Sequence, residues 1–316
     1  MNSNNILLAI ALLAVSTGCG DADAGTDRTA QAMQKSEATA PTAVKARDVR
    51  SLNINILVDL SNRIDPAASP KSPDQLERDL SVVRYFAGLF RQDVNAKGAF
   101  KANSSLRVFF HPEPRVAEVS DAAQRLVAEC RSGNTAEVSK RNQSIYRGLD
   151  SNLNLGMRTI YGKSIQLKHY PGSDIWRFMK DEAGLKCIRD TNQYRNILVI
   201  LTDGYLYHRS GLESRGNRHN HIERNLAHFT RFRDRRVLER DFDAGDYGFI
   251  PVADLQGLEV LVMEVSPAEA HPQDFDIMRR YWEKWLTEMK VDRHAFFKSQ
   301  QPAYVENLLN GYFNGR

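Results

Sequence analysis

Apolar positions follow two periods along the chain. Asn53 to Asp59 alternates and then runs apolar, the pattern of a buried strand that ends at Asp59. Ser105 to Phe110 forms a second strand, stopped by Pro112 and Pro114. Asn196 to Thr202 and Leu258 to Val265 are longer apolar runs and read as central strands. Between the strands the period lengthens. Ser72-Pro73-Asp74 opens a helix that runs to about Arg91, with Ser72 as N-cap and Pro73 in the first helical position. Its stripe is Leu76, Leu80, Val83, Phe86, Ala87 and Phe90. Asp121–Cys130 reads as helical, Asp174–Lys180 starts another helix, and Thr135–Leu155 is polar and ambiguous. Asp274–Lys290 is amphipathic and aromatic-rich; His294–Lys298 reads as an edge strand and Pro302–Phe313 as a last helix. Strands alternating with helices predict an α/β fold, a doubly wound and mostly parallel central sheet flanked by helices. Ligands of such sheets lie at the carboxyl ends of the strands. Two of these strands end directly in acid-bearing loops, at Asp59 and at Asp203.

The N-terminus has a separate pattern. Ile6 to Val15 is an unbroken apolar run of signal-peptide length, and Ser16-Thr17-Gly18-Cys19 after it resembles a bacterial lipobox. Two features depart from that pattern: Ser16 stands where leucine is usual, and no Lys or Arg precedes Ile6. Residues 20–51 are polar and contain no aromatic side chain, so they read as a flexible tether. The expected layout is a signal peptide over 1–18, a lipidated Cys19 and tether over 19–50, and a folded domain over 51–316. The expected location is a bacterial cell envelope, lipid-anchored and either periplasmic or surface-exposed. With Cys19 lipidated, Cys130 and Cys187 stand as either a disulfide or two separate buried thiols.

At 316 residues, 42% hydrophobic and 26% charged, the chain has the composition of a protein with a buried core. That excludes a wholly disordered or fibrous protein. A net charge of +4 is too small to point to nucleic acid, and no stacking motif or reading module appears, so nucleic acid is not expected as a partner. No nucleophile elbow, P-loop or dinucleotide turn is visible either.

Three short segments together resemble the von Willebrand factor A domain and its metal-ion-dependent adhesion site. Asp59-Leu60-Ser61-Asn62-Arg63 is similar to the family's first loop, Asp-x-Ser-x-Ser. Gly172-Ser173-Asp174-Ile175 is similar to its second, with Ser173 in the threonine position. Leu201-Thr202-Asp203-Gly204 is similar to its third. The resemblance covers roughly 51–316, with insertions around 112–170 and 205–256. It implies that Ser61 and Ser173 would bind Mg²⁺ (or Mn²⁺ or Ca²⁺) directly, and Asp59 and Asp203 through water. Oxygen ligands with retained waters suit Mg²⁺.

Arg63 departs from the family, which has a second serine ligand there. Arginine has no lone pair to give and is always charged. Either its guanidinium pairs with Asp59 or Asp203 where the cation would sit, or it points outward and water fills the position. The metal is therefore expected to be weakly held or absent.

The segment Tyr205–Arg240 carries nine arginines and four histidines against four acids, Glu213, Glu223, Asp234 and Glu239. Its place after Asp203 puts Arg209, Arg215 and Arg218 near the rim with Arg63 and Asp174, as a surface for an anionic partner. His208, His219 and His221 are the sharpest cluster, though a solvated face is the plainer explanation for them. Two functions follow. The first is a membrane-tethered binding module that holds an envelope or extracellular protein at the strand rim. The second is a metal-dependent phosphoester hydrolase using Asp59, Asp203, His208, His219 and His221. The missing catalytic motifs favour the first.

Overall fold

The computed structural model describes residues 49–111, 116–166, 168, 170, 174–208, 211–223 and 227–314. The signal peptide, Cys19 and the tether lie outside the described residues, as do Ser173 and Arg209.

The first half of the domain alternates strand and helix: β1 (Ser51–Val58), α1 (Gln75–Lys97), β2 (Ser105–Phe110), α2 (Ala117–Gln124), β3 (Val127–Glu129), α3 (Ala136–Gln166), α4 (Ile175–Asp181) and α5 (Ala183–Cys187). Then come β4 (Tyr194–Leu201), a decorated stretch with β5 (Ser214–Arg215), β6 (Arg218–His219), α6 (Ala227–Arg231), α7 (Arg235–Asp241) and β7 (Gly248–Phe249), and finally β8 (Leu258–Val265), α8 (Asp274–Glu288), β9 (Arg293–Lys298) and α9 (Pro302–Asn314). The main sheet has the order β3-β2-β1-β4-β8-β9, and every neighbouring pair is parallel except β2–β3. With the two-residue strands β5–β7 set aside, this is the doubly wound order 3-2-1-4-5-6.

The period of two along the strands builds two cores. Ile54, Ile56 and Val58 of β1 pack with Phe86 and Phe90 of α1, Met157 of α3 and Leu309 of α9. Leu57, with Leu198 and Ile200 of β4, faces the other way, against Phe178 of α4 and Trp282 and Trp285 of α8. The decorated stretch adds Phe229, Phe232, Phe242 and Phe249 to that second core. Both faces of a parallel sheet are therefore covered, as such sheets require.

Several local expectations shift. Helix α1 begins two residues later than the Pro73 pattern implies: its N-cap is Asp74, whose carboxylate accepts from the Glu77 N–H. Asp121–Cys130 is not one helix; α2 ends at Gln124 and Val127–Glu129 becomes the antiparallel edge strand. The polar stretch after Thr135 is part of a 31-residue helix whose narrow stripe includes Leu149, Leu153 and Met157. That helix packs on α1, so the described residues of the 112–170 region contribute to the core. Cys130 and Cys187 are separate buried thiols. Cys130 belongs to the core on one face of the sheet and Cys187 to the core on the other, so the sheet keeps them apart. Burial pushes their pKa values up, to about 11 and about 12, and leaves both inert as nucleophiles.

Candidate functional site

β1 and β4 are neighbours in register, with Val58 opposite Leu201. The Asp59 N–H still donates to the Leu201 carbonyl at 2.9 Å, so pairing continues one step past the strand end. Asp59 and Asp203 therefore emerge at the same carboxyl-end rim, as the sequence implied. Asp59 is buried, and its carboxylate is held locally. One oxygen accepts from the Ser61 N–H at 2.8 Å and the other from the Thr202 hydroxyl at 3.1 Å. Burial raises its pKa, while Arg63 and these hydrogen bonds pull against that rise.

Asn62–Ile64 forms a single 3₁₀ turn, which carries the Arg63 side chain inward to 3% exposure. Its guanidinium does sit in the rim, within ion-pair distance of Asp59 as expected, but its nearer and hydrogen-bonded acid is Asp79. Nη2 donates to Asp79 Oδ2 at 2.8 Å and Nη1 to Asp79 Oδ1 at 3.4 Å. Nε donates to the Asp59 carbonyl at 2.9 Å and Nη2 to the Leu201 carbonyl at 3.0 Å. The Asp59 carboxylate is 4.0 Å from Nε. Burial opposes the charge on Arg63, but Asp79, Tyr161 and Asp59 outweigh it and its pKa is raised. One residue thus ties the ends of β1 and β4 to helix α1.

Asp79 is the residue that sequence reading missed, together with the groups around it. It is fully buried and also accepts from the Tyr161 hydroxyl and from Gln75 Nε2. Gln75 bridges onward, donating to Glu264 at 3.3 Å and accepting from Lys71 Nζ at 2.6 Å. Ser299 donates to Glu264 at 2.6 Å. One signal was legible: Gln75 and Asp79 lie eight and four residues before Val83, on the buried stripe of an apolar helix. Glu264 stands one residue before the end of β8, and nothing in its local sequence pointed to Gln75, Asp79 or Ser299 as its surroundings.

Glu264 has φ of +65° at 2% exposure, an uncommon backbone for a non-glycine residue. Burial, then Asp79, raises its pKa above the ordinary value near 4.5. A carboxyl that holds its proton more tightly when folded adds stability that is present below about pH 4.5 and lost as pH rises through the raised value. Glu264→Gln keeps an oxygen for Ser299 and Gln75 but does not ionise. Urea denaturation from about pH 4 to about pH 8 should show a shallower fall of stability than in the parent protein, with the remainder coming from Asp59. An unchanged slope would mean that Glu264 titrates alike in both states.

Above this network lies an open cleft of about 790 Å³, lined by residues that include Arg63, Lys71, Asp203, Tyr205, Glu269 and Lys298. It sits where the strand order reverses, as ligand sites of doubly wound sheets do.

The other sequence-derived residues have different placements. Asp174 caps α4, accepting from the Arg177 N–H at 3.2 Å, and lies 3.5 Å from His208 Nδ1. His219 meets His221 edge-on with ring centroids 5.6 Å apart. Among the described residues, no group of three or more His, Cys, Asp or Glu side chains is arranged to hold a metal ion. Arg218 does not wait for a partner: it forms a bidentate pair with Glu288, at 2.6 and 2.8 Å, and donates twice to Oδ1 of Asp246, at 2.6 and 3.1 Å. Arg215 lies 3.7 Å from Glu213, and Arg233 pairs with Asp274 at 2.8 Å. Much of the arginine-rich stretch thus fastens itself to α7 and α8 instead of presenting free charge.

The fold and rim define a Rossmann-like α/β domain with a polar cleft at its topological switch point. No family model matches the chain, and no curated protein matches it. Among solved structures, the pilus adhesin SpaC from Lactobacillus rhamnosus GG overlaps with a TM-score of 0.35 and 12% identity, over 85% of this chain and 31% of that one. The chain thus spans about a third of the adhesin's length, and so loose an overlap carries no argument about family or function.

Proposed function

We propose that the protein is a binding module of the von Willebrand factor A type, tethered to the cell envelope through a lipid on Cys19, that engages a partner protein at the carboxyl-end rim. The observation that carries this is the convergence of the Asp59 and Asp203 loops beneath the 790 Å³ cleft, with Arg63 fixed between β1 and β4. The rim works without a cation. Both Asp59 oxygens already accept hydrogen bonds, and a buried guanidinium supplies positive charge 4.0 Å away. A divalent ion fits poorly beside a fixed positive group of that kind.

The test is site-specific photo-cross-linking of the full-length protein in cells that express it. A photoreactive residue at Tyr207 or Glu269, on the rim, is expected to yield a discrete cross-linked product. The same residue at Asn192, in the turn that leads into β4 at the opposite end of the sheet, is expected to yield none. The product should persist in EDTA. Equal labelling at both ends would sink the rim assignment, and loss in EDTA would restore a metal.

A further inference from the structure

The two walls of the rim cleft differ in charge. One wall comes from the β1–α1 connection and the first turns of α1, which packs on one face of the sheet. This wall carries Arg63, Lys71 and Arg78. The other wall comes from the segments after β4 and β8, whose Leu206, Ile222 and Met278 pack on the opposite face, and from the end of β9, where Lys298 pairs with Val265 of that face. It carries three acids, Asp203, Glu223 and Glu269, beside Lys298.

The cationic groups are not equally open to a ligand. Most N–H donors of Arg63 are already committed within the rim. Arg78 is buried and donates to the carbonyls of Pro73 at 3.1 Å, Ser72 at 3.2 Å and Gln300 at 2.8 Å. Both arginines fix the wall. Lys71 is half-buried and directs one donor to Gln75, which leaves two of the three an ammonium has. On the facing wall Lys298 and Glu269 are exposed and Glu223 half-buried, and Tyr205, Tyr207, Pro267 and Pro272 supply apolar surface around them.

A ligand of a single sign would be drawn to one wall and repelled by the other, and like charges brought together at an interface are strongly disfavoured. A ligand that carries both signs meets complementary charge on each side. The open shape and a volume of about 790 Å³, toward the upper end of common ligand sites, suit several linked residues better than one small molecule. We infer that the rim cleft selects an extended, amphoteric polypeptide segment of the partner. Its acidic side chains lie toward Lys71 and Lys298, and its basic side chains toward Glu223 and Glu269. This selectivity rests on the binding-module reading above.

The experiment is fluorescence anisotropy of the full-length protein with labelled synthetic peptides of equal length: alternating glutamate and lysine, glutamate only, lysine only, and uncharged. The alternating peptide should bind roughly tenfold tighter than either single-sign peptide at low ionic strength, with the difference narrowing as salt is added. Two exposed charge reversals keep the test independent of folding. Lys298→Glu should shift preference toward the lysine peptide, and Glu269→Lys toward the glutamate peptide. Equal or tighter binding of a single-sign peptide to the parent protein would overturn the inference. So would failure of every peptide to bind while rim cross-links still form. Absence of rim cross-links would instead remove the binding-module reading beneath it.

Discussion

Asp79→Ala is expected to destabilise the protein by about 3–5 kcal/mol, the cost of removing one partner from a buried ion pair. Arg63 is 3% exposed and Asp79 fully buried, so water cannot replace the missing carboxylate. Arg63 would keep its two backbone acceptors but lose its bidentate anion, and the Tyr161 hydroxyl would lose its acceptor. The Asp59 carboxylate, 4.0 Å away and already bonded twice, can compensate only in part. Urea denaturation gives the number directly. Arg63→Met should be similarly costly on its own, because it leaves Asp79 charged and buried. The double variant Arg63→Met with Asp79→Leu should cost less than the sum of the singles, since an apolar pair leaves no charge unanswered. A loss below about 1 kcal/mol for Asp79→Ala would mean that the pair is not the fastening described.

Gly204→Ala is the second large effect, expected at roughly 2–4 kcal/mol from backbone strain and overpacking together. Gly204 has φ of +98°, where side chains are disfavoured. A Cβ there would come within 2.6 Å of Met278 Sδ and 2.9 Å of Val265 Cγ1. Neither neighbour yields easily, since both are buried in the second core. The Gly204 carbonyl also accepts from Trp282 Nε1 at 3.0 Å, so tryptophan emission reports the same displacement that denaturation measures. Because Gly204 follows Asp203, the variant should also weaken rim cross-linking from Tyr207. Stability within about 0.5 kcal/mol of the parent would show that the loop relaxes freely.

Gly204 also shows why part of the site was legible. A glycine after an acid at the end of an apolar strand is a local pattern with a local cause: the chain must turn sharply against a packed core. Asp59 and Asp203 were legible for the same reason. Once the strands were read as parallel neighbours, topology placed both acids at one rim. The polar helix α3 was not legible, because its buried stripe is narrow and most of its surface is wet. The nearer acid of Arg63 was hidden because Asp79 sits sixteen residues away, on a helix whose other buried positions are mostly apolar. The arginines after Asp203 suggested an open basic surface, since their neutralising acids Asp246, Asp274 and Glu288 lie far along the chain.

By itself, then, the sequence determined the α/β class, the main parallel strands and the end of the sheet at which chemistry collects. These follow from hydrophobic period and strand termination, which act over a few residues. The pairing of Arg63 with Asp79, the separation of Cys130 from Cys187 and the opposed charges of the cleft walls were decided only in three dimensions. Charges pair with whatever the fold brings within a few ångströms, and that distance is set by packing across the whole domain.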